Sequence, residues 1–236
     1  MTGTGFGVAS QGGAVTSILN TGSINALSGN GIRTSQTLTT INNSGTISST
    51  GSHAIYVYWG SVTNLINTNT LTGGTGSSGL KLGGSSNATV TNLTNAGAMT
   101  GGTSGYGIYA NPISGTIGTI TTLNNGQGGN NANAATTALT YYGKLPGNYK
   151  MIVTSPTKYG QLSITNPSST TTFGIYSGGV TGVAASVLSA GTYSSVLTGI
   201  TLSNLTGSRT GTYGAYSWSL NNVSGTTWDL VVTGGD

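Results

Sequence analysis

LTTINN, at Leu38–Asn43, is written five times along this chain with the same apolar-Thr-x-apolar-x-Asn grammar. VTSILN (Val15–Asn20) precedes it, and VTNLIN (Val62–Asn67), VTNLTN (Val90–Asn95) and ITTLNN (Ile120–Asn125) follow. The five Asn residues are 23, 24, 28 and 30 positions apart. Self-similarity of that length marks one supersecondary unit stacked on its neighbours. Each unit has a second half in phase: Gly31-Ile32, Ala54-Ile55, Gly79-Leu80 and Gly107-Ile108 follow their Asn by 11 to 13 residues, and Gly7-Val8 holds the preceding place.

The local pattern is that of strands. Ile18, Asn20, Gly22 and Ile24 alternate with Leu19, Thr21 and Ser23, as do Ile41, Asn43, Gly45 and Ile47 with their neighbours. Period two means one buried face. The step from Val15 to Ile18 breaks that parity and predicts a bend at the intervening Thr-x pair. No run shows 3.6-residue periodicity, and Gly, Thr, Ser and Asn are poor helix formers. Coils of about three short strands, rising ~4.8 Å each, predict a parallel β-solenoid about five coils and roughly 24 Å long.

Stacking places Asn20, Asn43, Asn67, Asn95 and Asn125 on one column. Two readings stand for them. A structural Asn ladder passes amide hydrogen bonds from coil to coil, or Asn simply tolerates a turn conformation. Neither makes them catalytic.

Composition narrows the function classes. Only 3% of the 236 residues are charged, with six Lys or Arg against two acids, and the formal net charge is +4. No acid precedes Asp229. Six scattered cations do not form a phosphate-neutralising patch, so no nucleic-acid partner is expected. Low surface charge leaves little repulsion between copies. The chain has no Cys, which excludes disulfides and thiolate metal sites. No apolar run approaches the ~20 residues of a membrane span. The opening MTGTGFGVAS lacks a basic region and an apolar core, so it does not read as a signal peptide; either a leader has been removed or secretion uses another route. A Gly/Thr/Ser/Asn chain with almost no charge points to an extracellular place, on a bacterial cell surface.

A boundary is expected at residues 126–138, where the repeat gives way to small polar residues. Beyond it lie eight of twelve Tyr and two of three Trp. The expectation is therefore all-β: a parallel β-solenoid over residues 1–125, a linker at 126–138, and a mainly antiparallel, sandwich-like or capping domain over 139–236. Within that domain, strands are predicted at Leu139–Tyr142, Tyr149–Val153, Gln161–Thr165, Thr171–Tyr176, Tyr193–Leu202, Tyr213–Leu220 and Trp228–Val232. The last two read as a hairpin.

NTGSI (Asn20–Ile24), NNSGTISSTGSHAI (Asn42–Ile55) and NAGAM (Asn95–Met99) resemble the Asn-x-Gly-x-Ile coils of bacterial autotransporter passengers and related large surface β-solenoid proteins. The resemblance covers about residues 5–125. The closing segments GTYSSVLTGI (Gly191–Ile200) and TTWDLVV (Thr226–Val232) are similar to the β-rich end of such passengers. It implies surface display and adhesion. Asn69 stands where Gly22, Gly45 and Gly97 keep glycine, and no C-terminal membrane barrel is expected within these residues.

An enzyme is not expected. The lyases and hydrolases built on β-helices need paired carboxylates or a Ca²⁺ site with a strong base, and Asp229 and Asp236 are the only acids. His53 is the sole His, with no nucleophile elbow to serve. Gly73-Gly74-Thr75-Gly76 lacks the Lys-Ser/Thr and helix of a phosphate loop. No cofactor is implied. Ice binding calls for uniform Thr columns, and Leu19, Asn42, Ile66, Thr94 and Asn124 are not uniform. Tyr56, Tyr58 and Trp59, with Tyr106 and Tyr109, form two aromatic clusters. They either stack on glycans or pack on each other along the coils. The preferred partner is the chain itself. Gly5, Phe6, Gly7 and Val8 would present an open β-edge without charge or Pro, a template for head-to-tail assembly into fibres.

Overall fold

The computed structural model describes residues 2–3, 5–13, 15–129 and 137–235. It is all-β, a parallel solenoid of about six turns with antiparallel strands at its C-terminal end. Each early turn contributes a strand to three faces in succession. The first face stacks Val8–Gln11, Ile32–Ser35, the start of Ile55–Asn67, Leu80–Leu82 and Ile108–Ala110 in parallel register. The second stacks Ser17–Asn20, Leu38–Asn43, the end of Ile55–Asn67, Ala88–Asn95 and Gly118–Asn125. The third stacks Thr2–Gly3, Ser23–Ala26, Thr46–Ser49, Thr70–Thr72 and Ala98–Thr100.

The bend predicted inside each repeat is where the apolar parity breaks. Val62 and Leu65, Val90 and Leu93, and Ile120 and Leu123 lie three apart, yet all are buried. Register pairing skips the residue after the first of each pair, Thr63, Thr91 and Thr121. The strand turns a corner there and brings both residues inside.

The parallel stack does not stop at residue 125. Leu139–Lys144 and Leu162–Ser168 extend the first face, and Asn148–Met151 and Thr171–Ile175 extend the second. Four strands expected in an antiparallel domain are therefore solenoid strands, and the division at 125 and 139 does not follow the pairing. What changes is the filling of the core. The interior column Ile32, Ile55, Leu80, Ile108 continues as Tyr141 and Ile164. The column Ile41, Leu65, Leu93, Leu123 continues as Tyr149 and Phe173. Aromatic rings replace aliphatic chains at the same inward positions, each fully buried ring or chain worth about 1.5–3 kcal/mol. The expected linker differs too: Gly126, Gln127 and Gly128 are buried, and residues 130–136 lie outside the described residues.

A small antiparallel pair, Val153–Ser155 with Lys158–Tyr159, stands apart from the stack. The larger antiparallel sheet is built on Gly191–Thr198, which joins the first face in parallel at Leu162 and Ser163. Thr227–Gly234, Tyr216–Ser224 and Thr210–Tyr213 then add in antiparallel order. The predicted hairpin sits here, with Leu220 opposite Leu230 and Trp218 opposite Val232. Buried Trp228 donates its indole N–H to the Ile200 carbonyl at 3.0 Å, anchoring this sheet on the stack. Among the described residues no helix is long and apolar enough to cross a membrane.

Candidate functional site: an amide ladder, a partly open first coil and a cation-aromatic strip

The five repeat asparagines meet on the inner side of the second face. Nδ2 of Asn20 donates to Oδ1 of Asn43 at 2.7 Å, Asn43 to Asn67 at 2.8 Å, Asn67 to Asn95 at 2.9 Å, and Asn95 to Asn125 at 3.2 Å. The same amides reach the third face, Asn20 donating to Thr46 O, Asn43 to Thr70 O and Asn67 to Ala98 O. None of the five has a positive φ, so a left-handed turn is not what selects Asn here. Satisfying a buried amide on every coil is. Asn125 passes the chain to the Tyr149 hydroxyl at 3.4 Å. Burial pushes the Tyr149 hydroxyl up, opposed by the Asn125 contact, and it stays neutral.

Gln127 ends the third face, and the sequence reading missed it. It is buried at the Asn+2 position that glycine holds in three other coils. Its Oε1 accepts the Met99 N–H at 2.8 Å and its Nε2 donates to the Met99 carbonyl at 3.2 Å. One side chain thus supplies the donor and acceptor that a next strand would have offered. Oε1 also accepts from Asn95. The departure from Asn-x-Gly to Asn125-Gly126-Gln127 was the available signal.

At the other end, among the described residues, the first coil is more open than those that follow. Val8 is half-buried while Ile32, Ile55, Leu80 and Ile108 in its column are fully buried. Val15, on the strand line of Leu38, Val62 and Val90, is 46% exposed against 0% for those three. Phe6 and Leu19 add apolar surface on the same coil. Gly5, Phe6, Gly7 and Val8 lie along this end, with Gly7 and Val8 donating their N–H groups to Asn30 and Gly31 carbonyls of the next coil.

The aromatic residues form a strip rather than two clusters. On the first face the outward column reads Ala9, Arg33, Tyr56, Lys81, Tyr109, Tyr142. Arg33 lies over the Tyr58 ring at 4.1 Å and the Phe6 ring at 5.5 Å. Lys81 bridges the groups, 5.1 Å from the Tyr56 centroid and 5.4 Å from that of Tyr109. Tyr109 stacks on Tyr142 at 4.7 Å, and Tyr106 tilts against both. A bulge explains Tyr58: Thr34 pairs with Val57 but Ser35 with Trp59, leaving Tyr58 as the extra residue. Gly84 leaves room for the rings, since a Cβ there would sit 2.2 Å from Tyr58 and 2.4 Å from the Tyr56 hydroxyl. Trp59, 43% exposed, has no ring partner among the described residues. Packing of rings on each other and outward display therefore coexist.

Charge in this strip is unusual because no described carboxylate answers it. Burial lowers the Lys81 pKa and raises those of Tyr56 and Tyr109. His53 touches Tyr56 edge-on at 5.2 Å, and its Nδ1 accepts the Ser78 N–H at 2.9 Å. Burial, then the Lys81 charge, lowers its pKa to about 4. Asp229 is far along the chain, with Oδ1 accepting the Ser195 N–H at 2.7 Å. A second feature lies on the other outer face, a polar cleft of about 280 Å³ lined by Asn64, Asn92, Asn124 and Lys150 under the Tyr176–Val180 segment. Comparison with known proteins finds no family whose model matches this chain, no matching curated protein and no matching solved structure.

Proposed function

We propose that this chain is a secreted structural subunit of the bacterial cell surface or extracellular matrix, joined to other copies through its first coil. One observation supports this most: among the described residues Val8 is only half-buried and Val15 is 46% exposed, at places where the following coils bury the matching residue. Open parallel strands with an apolar interior behind them are a template for a further strand. The far end offers the outer edges of Thr210–Tyr213 and Leu205–Thr206. The two ends are unlike, so a contact between them is heterologous and repeats into a fibre. The low charge and the autotransporter-like coils favour the same setting. The reading is non-enzymatic: the His53 Nδ1 and the Asp229 Oδ1 both hold backbone N–H groups.

Light scattering on the purified chain over a wide concentration range tests this. The reading requires mass that rises with concentration and returns to monomer in Leu19→Lys or Val15→Lys. A constant monomer mass contradicts it. A second reading, an adhesin that meets glycans, is favoured by the outward strip of Tyr rings and cations on the first face.

A further inference from the structure

The strip runs from coil to coil in register and bears cations between aromatic faces. We propose that it binds an acidic polysaccharide strand laid along the axis, its sugar rings against the tyrosines and its carboxylates over Arg33 and Lys81. This deepens the glycan-contact reading and rests on it.

Three observations support the choice of an acidic, linear ligand. First, Arg33 and Lys81 occupy one outward column two coils apart, about 9.6 Å at the usual strand spacing, a separation comparable to the length of a disaccharide. A uronate polymer that presents a carboxylate to the same side at every second sugar would meet both. Second, neither cation has a carboxylate beside it among the described residues; each lies over rings instead. Half-buried cations without counter-charges favour an anion brought from outside. Third, Tyr56, Tyr58, Tyr106, Tyr109 and Tyr142 are half-buried, held by mutual contact yet partly open on the outer face. Rings fixed by their neighbours lose little freedom when a sugar stacks on them. Burial raises the Tyr109 pKa and keeps its phenol a neutral donor, while the Tyr56 hydroxyl already donates to the Gly83 carbonyl at 3.5 Å. The column spans four coil steps from Arg33 to Tyr142, roughly 19 Å, enough for a short oligosaccharide.

The test is calorimetric titration of the full chain with polygalacturonate, and with dextran as a neutral polymer. The expected result is saturable binding of polygalacturonate that weakens as salt rises, with little binding of dextran. Arg33→Gln and Lys81→Gln should each weaken it about threefold and together about tenfold, the scale of half-exposed ion contacts. Lys81→Arg, which keeps the charge, should retain binding, and melting curves of all variants should match that of the parent chain. Equal, salt-independent binding of both polymers would overturn the acidic ligand and leave glycan contact standing. Binding of neither would overturn both readings. Binding that survives the double variant but is lost in Lys150→Gln would overturn the proposal by moving the site to the cleft on the second face.

Discussion

Asn67→Ala removes the middle rung of the amide ladder, and its cost follows from what the rung holds. Asn67 is fully buried. It accepts from Asn43 and donates to Asn95 Oδ1, Asn69 O and Ala98 O. After truncation Asn43 keeps Gly45 O and Thr70 O as acceptors, so its loss is small. Asn69 O keeps the Ala98 N–H. Asn95 Oδ1 loses the Asn67 amide donor in a dry interior, at ~1–3 kcal/mol, and the weakened Ala98 contact adds about 1 kcal/mol. The sum is about 3 kcal/mol, or roughly 6–12 °C in Tm for a chain of this size. Asn20→Ala is the internal control. Asn20 lies at the solvent-exposed end, is 7% exposed, and water replaces part of what it gave, so the cost there is about 1 kcal/mol. Asn67→Gly separates the two physical readings of the motif. A turn-tolerance role is served by glycine and predicts little loss; a ladder role predicts a loss at least as large as that of alanine. Differential scanning fluorimetry with urea titration reads all three variants. Equal stability losses at 20 and 67, or a harmless glycine at 67, would refute the ladder as the reason for the repeat.

Other outcomes follow from single contacts. The chain holds one His and two acids, so few side chains titrate between neutral pH and pH 4. Because the folded pKa of His53 is lowered to about 4 from 6.5, its stability contribution is whole above about pH 6.5. It is lost as pH falls toward 4, where the unfolded chain binds a proton that the folded chain does not, at most about 3 kcal/mol. His53→Gln should flatten the Tm-versus-pH curve over that window; an unchanged curve counts against the assignment. Gln127→Ala should cost about 2–4 kcal/mol by stripping Met99 of its donor and acceptor, and amide exchange at Met99 should rise with it; unaltered exchange there would contradict the plug. Gly84→Ala forces the Tyr56 and Tyr58 rings to move and should cost about 1–3 kcal/mol, with altered tyrosine fluorescence as the local readout. Gly45→Ala places a Cβ 2.0 Å from the Gly22 carbonyl of the coil before and should destabilise on the same scale, measured by urea unfolding.

Much of this architecture is legible in the sequence because the repeat states it twice, once as Asn and once as Gly-Ile. Asn20 to Asn125 mark the second face, and the alternation around Ile18 and Ile41 tells which side is inward. The reading fails at residue 125 for a physical reason. Tyr141, Tyr149 and Phe173 continue columns that aliphatic residues began, so the composition changes while the period-two burial does not. A core position asks for volume and apolarity, and tyrosine meets both when its hydroxyl finds a partner, as Tyr141 does in the Lys144 carbonyl. The strip was half legible. Each of its column residues follows the inward residue of a coil, as in Ile32-Arg33, Ile55-Tyr56, Leu80-Lys81 and Ile108-Tyr109. The aromatic members stood out as loop clusters, while Arg33 and Lys81 were counted only as scattered charge. Tyr58 enters through a bulge that no pattern in one sequence announces. Gln127 was hidden by its surroundings, since a run of Gly and Asn reads as a linker unless the Asn-x-Gly register is carried one coil further.

Assembly through the partly open first coil is the centre of the proposed function, and negative-stain electron microscopy of the purified chain addresses it directly. The account predicts unbranched fibres in the parent protein and dispersed particles in Leu19→Lys and Val15→Lys, with all three chains equally folded by circular dichroism. Dispersed single particles of the parent chain at high concentration would contradict it, as would fibres that persist in both lysine variants.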